Sequence, residues 1–335
     1  MNQQASTPTQ ALRFQGFDIS KATFDVARWG DEAFPSMGLS CFPRTREGAR
    51  AWLATLSPED LDRTAVVMES TGGYSEELAV WLLEAEPRLH VAIVNPFLVK
   101  SFGRSLALRN KTDRLDARLL ARFGQDRRPA PWHPLPPTQA ELRALARTRA
   151  HLVRLRVSLG NRLGEHAGPS PAARKAQQSV LKALDTQIHA LERNLLKLAK
   201  QDKDLGRDMA LAQSVPGVGP ITAAVVLAEA GDLRRFARRG DLAAFLGVSP
   251  RVFQSGTSVH GRTRMCRMGG GHARSALYMA AVAASRNKGA IGSFYRRLVE
   301  AGKPKRSALG ALMRKLLLAM RAVLIQGTPY KERTA

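Results

Sequence analysis

The chain has 335 residues, 44% of them hydrophobic and 24% charged, a composition suited to an ordinary folded protein with room for two or three domains. Its 52 Lys and Arg against 28 Asp and Glu leave a formal net charge of +24, which points to a polyanionic partner, because neutralising phosphates releases counterions. Against a membrane role, the longest apolar run, LLLAMRAVLI, is short and carries Arg321, and the polar N-terminus lacks the core of a signal peptide.

Taken in chain order, residues 1–11 are expected to be disordered. Residues 12–128 alternate strand and helix. RFQGFDIS, TFDVARW and GLSCFPR read as strands, followed by a helix around Glu47 to Leu56 and the apolar strand TAVVMES. A helix from Ser75 to Glu84, the strand HVAIVNP and a helical stretch over 97–123 complete a pattern that suits a mixed sheet covered by helices. PAPWHPLPP, residues 129–137, predicts an extended linker, since proline fixes φ and removes donors. Residues 138–207 are helical. Leu181, Leu184, Ile188, Leu191, Leu195, Leu198 and Leu205 follow spacings of three and four, with Asp202 out of place, which predicts a coiled-coil seam. Leu142, Leu145, Leu152, Leu155 and Leu159 mark the preceding helix, and the pair can fold back as a hairpin, pair with a second chain, or do both, with a dimer the preferred reading.

Residues 208–327 read as helical with Gly-rich interruptions, and 328–335 as a tail. From Arg234 to Lys315 there are 18 Lys and Arg against only Asp241 and Glu300, an electrostatic footprint for nucleic acid. SVPGVGPITAAVVLAEAG has the form of a helix-hairpin-helix turn, in which backbone amides near Gly217 and Gly219 can hold a phosphate without reading bases. A plain packing corner accounts for the same glycines equally simply. Cys41 and Cys266 lie far apart without CxxC spacing, so neither a zinc site nor a disulfide framework is indicated and a reducing, cytoplasmic setting fits.

The acids form a pattern of their own. Asp18 ends the first strand and Glu69 the fourth, where ligands collect beyond the carboxyl ends of strands. Asp113 and Asp116, in NKTDRLDARLLAR, are three apart on a helix, hence on one face. Asp18 alone is also explained as a turn residue after a strand, and Asp113 and Asp116 by ion pairs with Arg114, Arg109 or Lys111. Together, four carboxylates from three segments need cations to offset their repulsion, and Mg²⁺ prefers hard oxygen ligands that bridge to phosphates.

DISK at 18–21, ESTGGY at 69–74 and NKTDRLDA at 110–117 resemble the RuvC-like DEDD domain of one insertion-sequence transposase family, the DEDD-plus-serine transposases or bridge-RNA-guided recombinases, with the pilin-gene invertases as relatives. The resemblance runs from about residue 12 to 325. It implies an RNase H-like α/β fold for 12–128, a helical coiled-coil middle and a mostly α C-terminal transposase domain. It also implies Asp18, Glu69, Asp113 and Asp116 as ligands of Mg²⁺ (or Mn²⁺). AFLGVSPRVFQSGTSVHGRTRM, 244–265, resembles the family's serine motif, with Ser255 in the place of the nucleophile and Gly256 after it. Arg251, Arg262 and Arg264 surround it in sequence and suit DNA phosphates. His260 has no carboxylate partner nearby in sequence, so no local Ser-His-Asp set activates the serine. CRMGGGHARSALYMAA departs from the pattern, having Met268 and three glycines where a basic residue followed by Gly-Asn is expected.

The implied activity is cutting and rejoining of DNA through a phosphoserine intermediate. Its partners are donor and target DNA, a noncoding bridge RNA and further copies of the chain in a dimer or tetramer, on the bacterial nucleoid. A RuvC-like junction endonuclease using metal-activated water keeps the acids and drops the serine. A silent nucleic-acid-binding scaffold drops both.

Overall fold

The computed structural model describes the backbone of residues 12–28, 34, 36–106, 113–165, 170–255, 259–266 and 269–332; side chains at 113–115, 165, 252–255 and 259–264 are outside that description. The chain divides into two compact units, Met1–Pro134 and Leu135–Ala335.

In the first unit, β1 (Arg13–Ile19), β2 (Thr23–Ala27), β3 (Leu39–Pro43), β4 (Thr64–Glu69) and β5 (His90–Val94) form one mixed sheet. The strand order is β3-β2-β1-β4-β5. β1, β4 and β5 are parallel, and β2 and β3 run antiparallel on the other side. TAVVME of β4 is buried almost throughout, as a central parallel strand covered on both faces must be. Alternation along β1 sorts its side chains. Phe17 joins Phe24, Trp52, Met68 and Leu78 under the helices α1 (Arg46–Leu53) and α3 (Gly73–Ala85). Phe14 joins Val67, Leu120 and Phe123 under α4 (Pro96–Ser105) and α5 (Asp113–Arg127) on the opposite face. A single turn, α2 (Pro58–Leu61), precedes β4. The one buried polar side chain on β1, Gln15, is satisfied by the Trp52 indole at 3.2 Å.

One expectation for this unit is corrected, and another is met only in part. In the stretch expected to be helical over 97–123, α4 ends at Ser105 with Leu106 as its cap and α5 covers Asp113–Arg127, while residues 107–112 lie outside the described residues. The proline-rich segment is extended but not a free linker: Trp132 N–H donates to Val91 O (2.7 Å), His90 Nε2 meets Pro129 O (3.0 Å), and the Trp132 ring packs on the sheet core.

In the second unit, α6 (Pro137–Glu165) and α7 (Pro171–Gln201) form an antiparallel hairpin, with Arg149 paired to Glu192 and Arg156 to Asp185. The leucine seam stops at Asp202. Its carboxylate accepts the N–H groups of Asp204 and Leu205, both at 3.0 Å, and so caps α8 (Lys203–Gln213), which leaves Leu205 in a new helix. α9 (Pro220–Ala230), α10 (Arg239–Phe245), α11 (Gly271–Ala284), α12 (Ala290–Glu300) and α13 (Lys305–Gln326) complete the helices. Leu142, Leu195, Leu227, Leu277 and Leu316 belong to one core, so the long hairpin is rooted in the C-terminal body. Unanticipated from sequence is a two-stranded antiparallel ribbon, β6 (Pro250–Ser255) and β7 (Val259–Met265), in a region read as helical.

Candidate active site

β1 and β4 are aligned so that Phe17 faces Met68, which sets Asp18 beside Glu69 in the next position. Both acids share strand parity with Gly16 and Val67, which lie under α5, so both project to the α5 face at the carboxyl end of the sheet. Asp25 on β2 is directly opposite Asp18, and Cys41 on β3 is opposite Asp25. Three carboxylates therefore stand in one transverse row: Asp25, Asp18, Glu69. The Cys41 thiol, hydrogen-bonded to Asp25 and beside its charge, is held above its ordinary pKa. Asp25 was not singled out from sequence. The available signal was its alternation with Phe24 and Val26, both fully buried, which turns it to the face of Asp18.

Glycine decides how closely α5 approaches. A Cβ at Gly16 would lie 2.0 Å from Ala117 O and 2.4 Å from Ala121 N, and one at Gly124 would meet Phe14 and Val67 at 2.7 Å. These contacts show α5 running antiparallel to β1, with its first turn toward Asp18. Two strand residues beyond Gly16 advance about 6.6 Å, and one helical turn back from Ala117 about 5.4 Å. The turn from Asp113 to Asp116 is thus level with Asp18 and Glu69. Asp116 is half-buried, whereas the side chain of Asp113 lies outside the described residues. Asp18, Glu69 and Asp116 each engage neighbours within the chain. Among the described residues no three Asp, Glu, His or Cys side chains close into a metal-binding group. Thr71 Oγ1, two residues past Glu69, is buried without a hydrogen-bond partner.

Ser255 is the last residue of β6 and pairs with Val259, so its backbone sits at the tip of the ribbon. Gly256, and the side chains of Ser255, His260, Arg262 and Arg264, lie outside the described residues. Arg251, exposed, faces Arg264 across the ribbon. The base of the ribbon is closed by Cys266 N–H to Ser249 O at 2.8 Å. One of the three unexpected glycines has a steric cause: a Cβ at Gly269 would lie 2.3 Å from Gly247 N and 2.4 Å from Phe245 O.

Between α6 and α9, sequence reasoning missed a buried carboxylate. Glu229, inside the apolar helix PITAAVVLAEA, is 6% exposed and receives both Nε and Nη2 of Arg147 at 2.9 and 3.0 Å. Arg143 donates to the carbonyls of Ala228 and Glu229. His272, at the start of α11, has its pKa lowered mainly by burial, with the Glu229 charge opposing and Arg147 and Arg154 reinforcing.

A short turn, Ser214–Gly219, joins α8 and α9 where the helix-hairpin-helix is expected. Gly217 has φ +89°, and a Cβ there would fall 2.5 Å from Ala284 Cβ and 2.9 Å from Ala280 O, so close packing on α11 accounts for this glycine. Gly219 is open, with nothing within 4 Å of an added Cβ, and caps α9 ahead of Pro220.

Residues 15–167 match a family model for DEDD-type IS110 transposases, and residues 209–296 match one described as Transposase IS116/IS110/IS902 family. The chain is 30% identical over 321 residues to the pilin gene-inverting protein of Moraxella bovis, covering 95% of this chain and 97% of that protein. The pilin gene-inverting protein of Moraxella lacunata matches to the same extent. The transposase for insertion sequence element IS1111A of Coxiella burnetii is 27% identical over 287 residues, 73% of this chain and 70% of that protein.

Proposed function

The chain belongs to the IS110/IS116/IS902 transposase family and is a DNA transposase/recombinase, and from that premise we propose that it cuts and rejoins DNA through Ser255. In this reading the first unit is an RNase H-like domain, supported by its strand order and by the helices on both faces. The Ser255 hydroxyl attacks a DNA phosphorus. The bond from phosphorus to one sugar oxygen breaks, that oxygen leaves with a proton, and a serine phosphodiester remains. An incoming DNA hydroxyl then displaces the serine, so rejoining needs no external energy source. The cations along the ribbon that carries the serine, Arg251, Arg262 and Arg264, hold the flanking phosphates, and Gly217 and Gly219 belong to a second backbone contact.

Asp18, Glu69, Asp113 and Asp116 would hold Mg²⁺ or Mn²⁺. The donor set fits a hard cation: carboxylate oxygens in register on adjacent strands, beside an unsatisfied Thr71 hydroxyl. Bound there, such an ion neutralises charge building up on the phosphorus oxygens. The protein's own part is to fix the carboxylates on buried parallel strands and to keep α5 close enough to deliver the last two. The net charge and the 18-to-2 excess of cations over acids between Arg234 and Lys315 suit a substrate of two DNA segments and a bridge RNA, gripped through their backbones. A dimer or tetramer associated with the nucleoid is part of the same reading; among the described residues no helix is long and apolar enough to cross a membrane.

The observation that carries the proposal is the row Asp18–Glu69 level with the first turn of α5, in a chain matched almost end to end by DNA-inverting proteins. Trapping tests it. Wild-type protein with Mg²⁺ and cognate DNA should give a protease-sensitive protein–DNA adduct that Ser255→Ala abolishes. Asp116→Asn should remove cleavage while leaving DNA affinity within about threefold. Cleaved ends without an adduct would replace the serine mechanism with water attack by the same acids.

A further inference from the structure

The carboxyl end of the sheet carries two exposed aromatic rings that the catalytic reading does not use. Tyr74 stands in the first turn of α3, directly after β4, and Phe97 in the first turn of α4, directly after β5. They are 39% and 45% exposed. β4 and β5 are neighbours, about 4.8 Å apart, and Glu69 ends the first of them opposite Val94. α3 and α4 cover opposite faces of the sheet. The two rings therefore flank the carboxyl end of the sheet, Phe97 from the face to which Asp18 and Glu69 project and Tyr74 from the opposite face.

Tyr74 is also held in place. The Arg44 guanidinium lies 4.3 Å from its ring centroid while Arg44 Nε donates to Lys21 O at 3.0 Å, and Glu77 pairs with the same guanidinium. Arg44 thereby ties the turn after Asp18 to the ring after Glu69. Exposed cations flank both rings: Lys21 on the β1–β2 turn, and Lys100, three residues after Phe97 and so on its helical face. Aromatic rings alternating with cations suit unpaired nucleotides, whose bases stack while their phosphates meet the ammonium groups. A paired duplex offers no base faces to such rings.

We infer that this rim binds an unpaired stretch of nucleic acid, with bases stacked on Tyr74 and Phe97, so that the strand crosses the acidic edge locally unwound. This rests on the DNA-processing reading above, but it is measured without chemistry. The test is binding of full-length protein, in excess chelator, to a fluorescently labelled single-stranded oligonucleotide and to the same sequence as a duplex. Tyr74→Ala with Phe97→Ala should weaken single-strand binding at least tenfold and duplex binding less than twofold, while Tyr74→Phe keeps wild-type affinity. A 5-iodouracil oligonucleotide should photocrosslink to Tyr74 or Phe97 in the wild-type protein, a readout independent of the fold of any variant. Equal loss on single strand and duplex, unchanged affinity, or crosslinks confined to other segments would overturn the inference. So would a changed oligomeric state with unchanged oligonucleotide binding, which would make the rings a contact between copies. Adduct formation by wild-type protein is scored separately, so a failure of the serine mechanism and a failure of the rim remain distinguishable.

Discussion

The two units hold their candidate groups in different ways. In the first, Asp18 and Glu69 sit on adjacent parallel strands whose alternate residues are buried on both faces, so a shift of one residue would force Phe17 and Met68 into the opposite core. The acids are positioned by the core itself. In the second, Ser255 sits at the end of a two-stranded ribbon, an element with little stability of its own, rooted in a helical body through backbone contacts at Ser249, Gly247 and Gly269. Metal ligands demand a fixed geometry, while a nucleophile that must meet a phosphorus, bond to it and let go gains from a lighter tether. The helical body meanwhile keeps its own precision in buried polar contacts such as Glu229 with Arg147.

The contrast can be broken most directly at the glycines. Gly16→Val drives a side chain into the α5 backbone and should cost about 3 kcal/mol, the upper end for forced overpacking, with cleavage lost as Asp116 moves away. Gly219→Ala, where space is open, should cost less than about 1 kcal/mol by urea denaturation. Similar losses at both sites would show that α5 is not held by close approach. Next in size, Arg147→Ala strands the Glu229 carboxylate among apolar neighbours. We expect about 2 kcal/mol lost from the second unit, below the full cost of a buried charge because Arg147 is itself 44% exposed.

A smaller effect sharpens the same site. His272 has a lowered pKa in the folded chain, so the unfolded chain binds the proton more readily. Its contribution is complete above the ordinary value of 6.5 and is lost as pH falls below it. Thermal melts should therefore decline on acidification in that window, and His272→Gln should flatten the decline. Smallest in energy but easily read is the first unit's Cys41. Asp25→Asn removes the charge and leaves only a weaker, neutral acceptor for the thiol, so alkylation by iodoacetamide near pH 8 should quicken several-fold. No change would mean that Asp25 does not face the row of β1 and β3 as the register requires.

The sequence by itself determined the strand and helix order of the first unit, the parity that turns Asp18 and Glu69 away from Phe17 and Met68, the two long leucine-bearing helices and the basic C-terminal half. These rest on local periodicity and charge, which need no knowledge of what packs where. The resemblance to one transposase family was equally legible, in DISK, ESTGGY and NKTDRLDA. Only the tertiary structure decided that Asp25 joins the acidic row, that Gly16 and Gly124 exist to admit α5, and that Gly217 packs on α11. It also decided that Asp202 ends the leucine seam as a cap, and that PRVFQS and VHGRTRM pair as a ribbon. Each of these is a relation between segments distant in the chain or a choice between two locally acceptable conformations. Such choices are made by the free energy of packing the whole unit, and no window of neighbouring residues contains it.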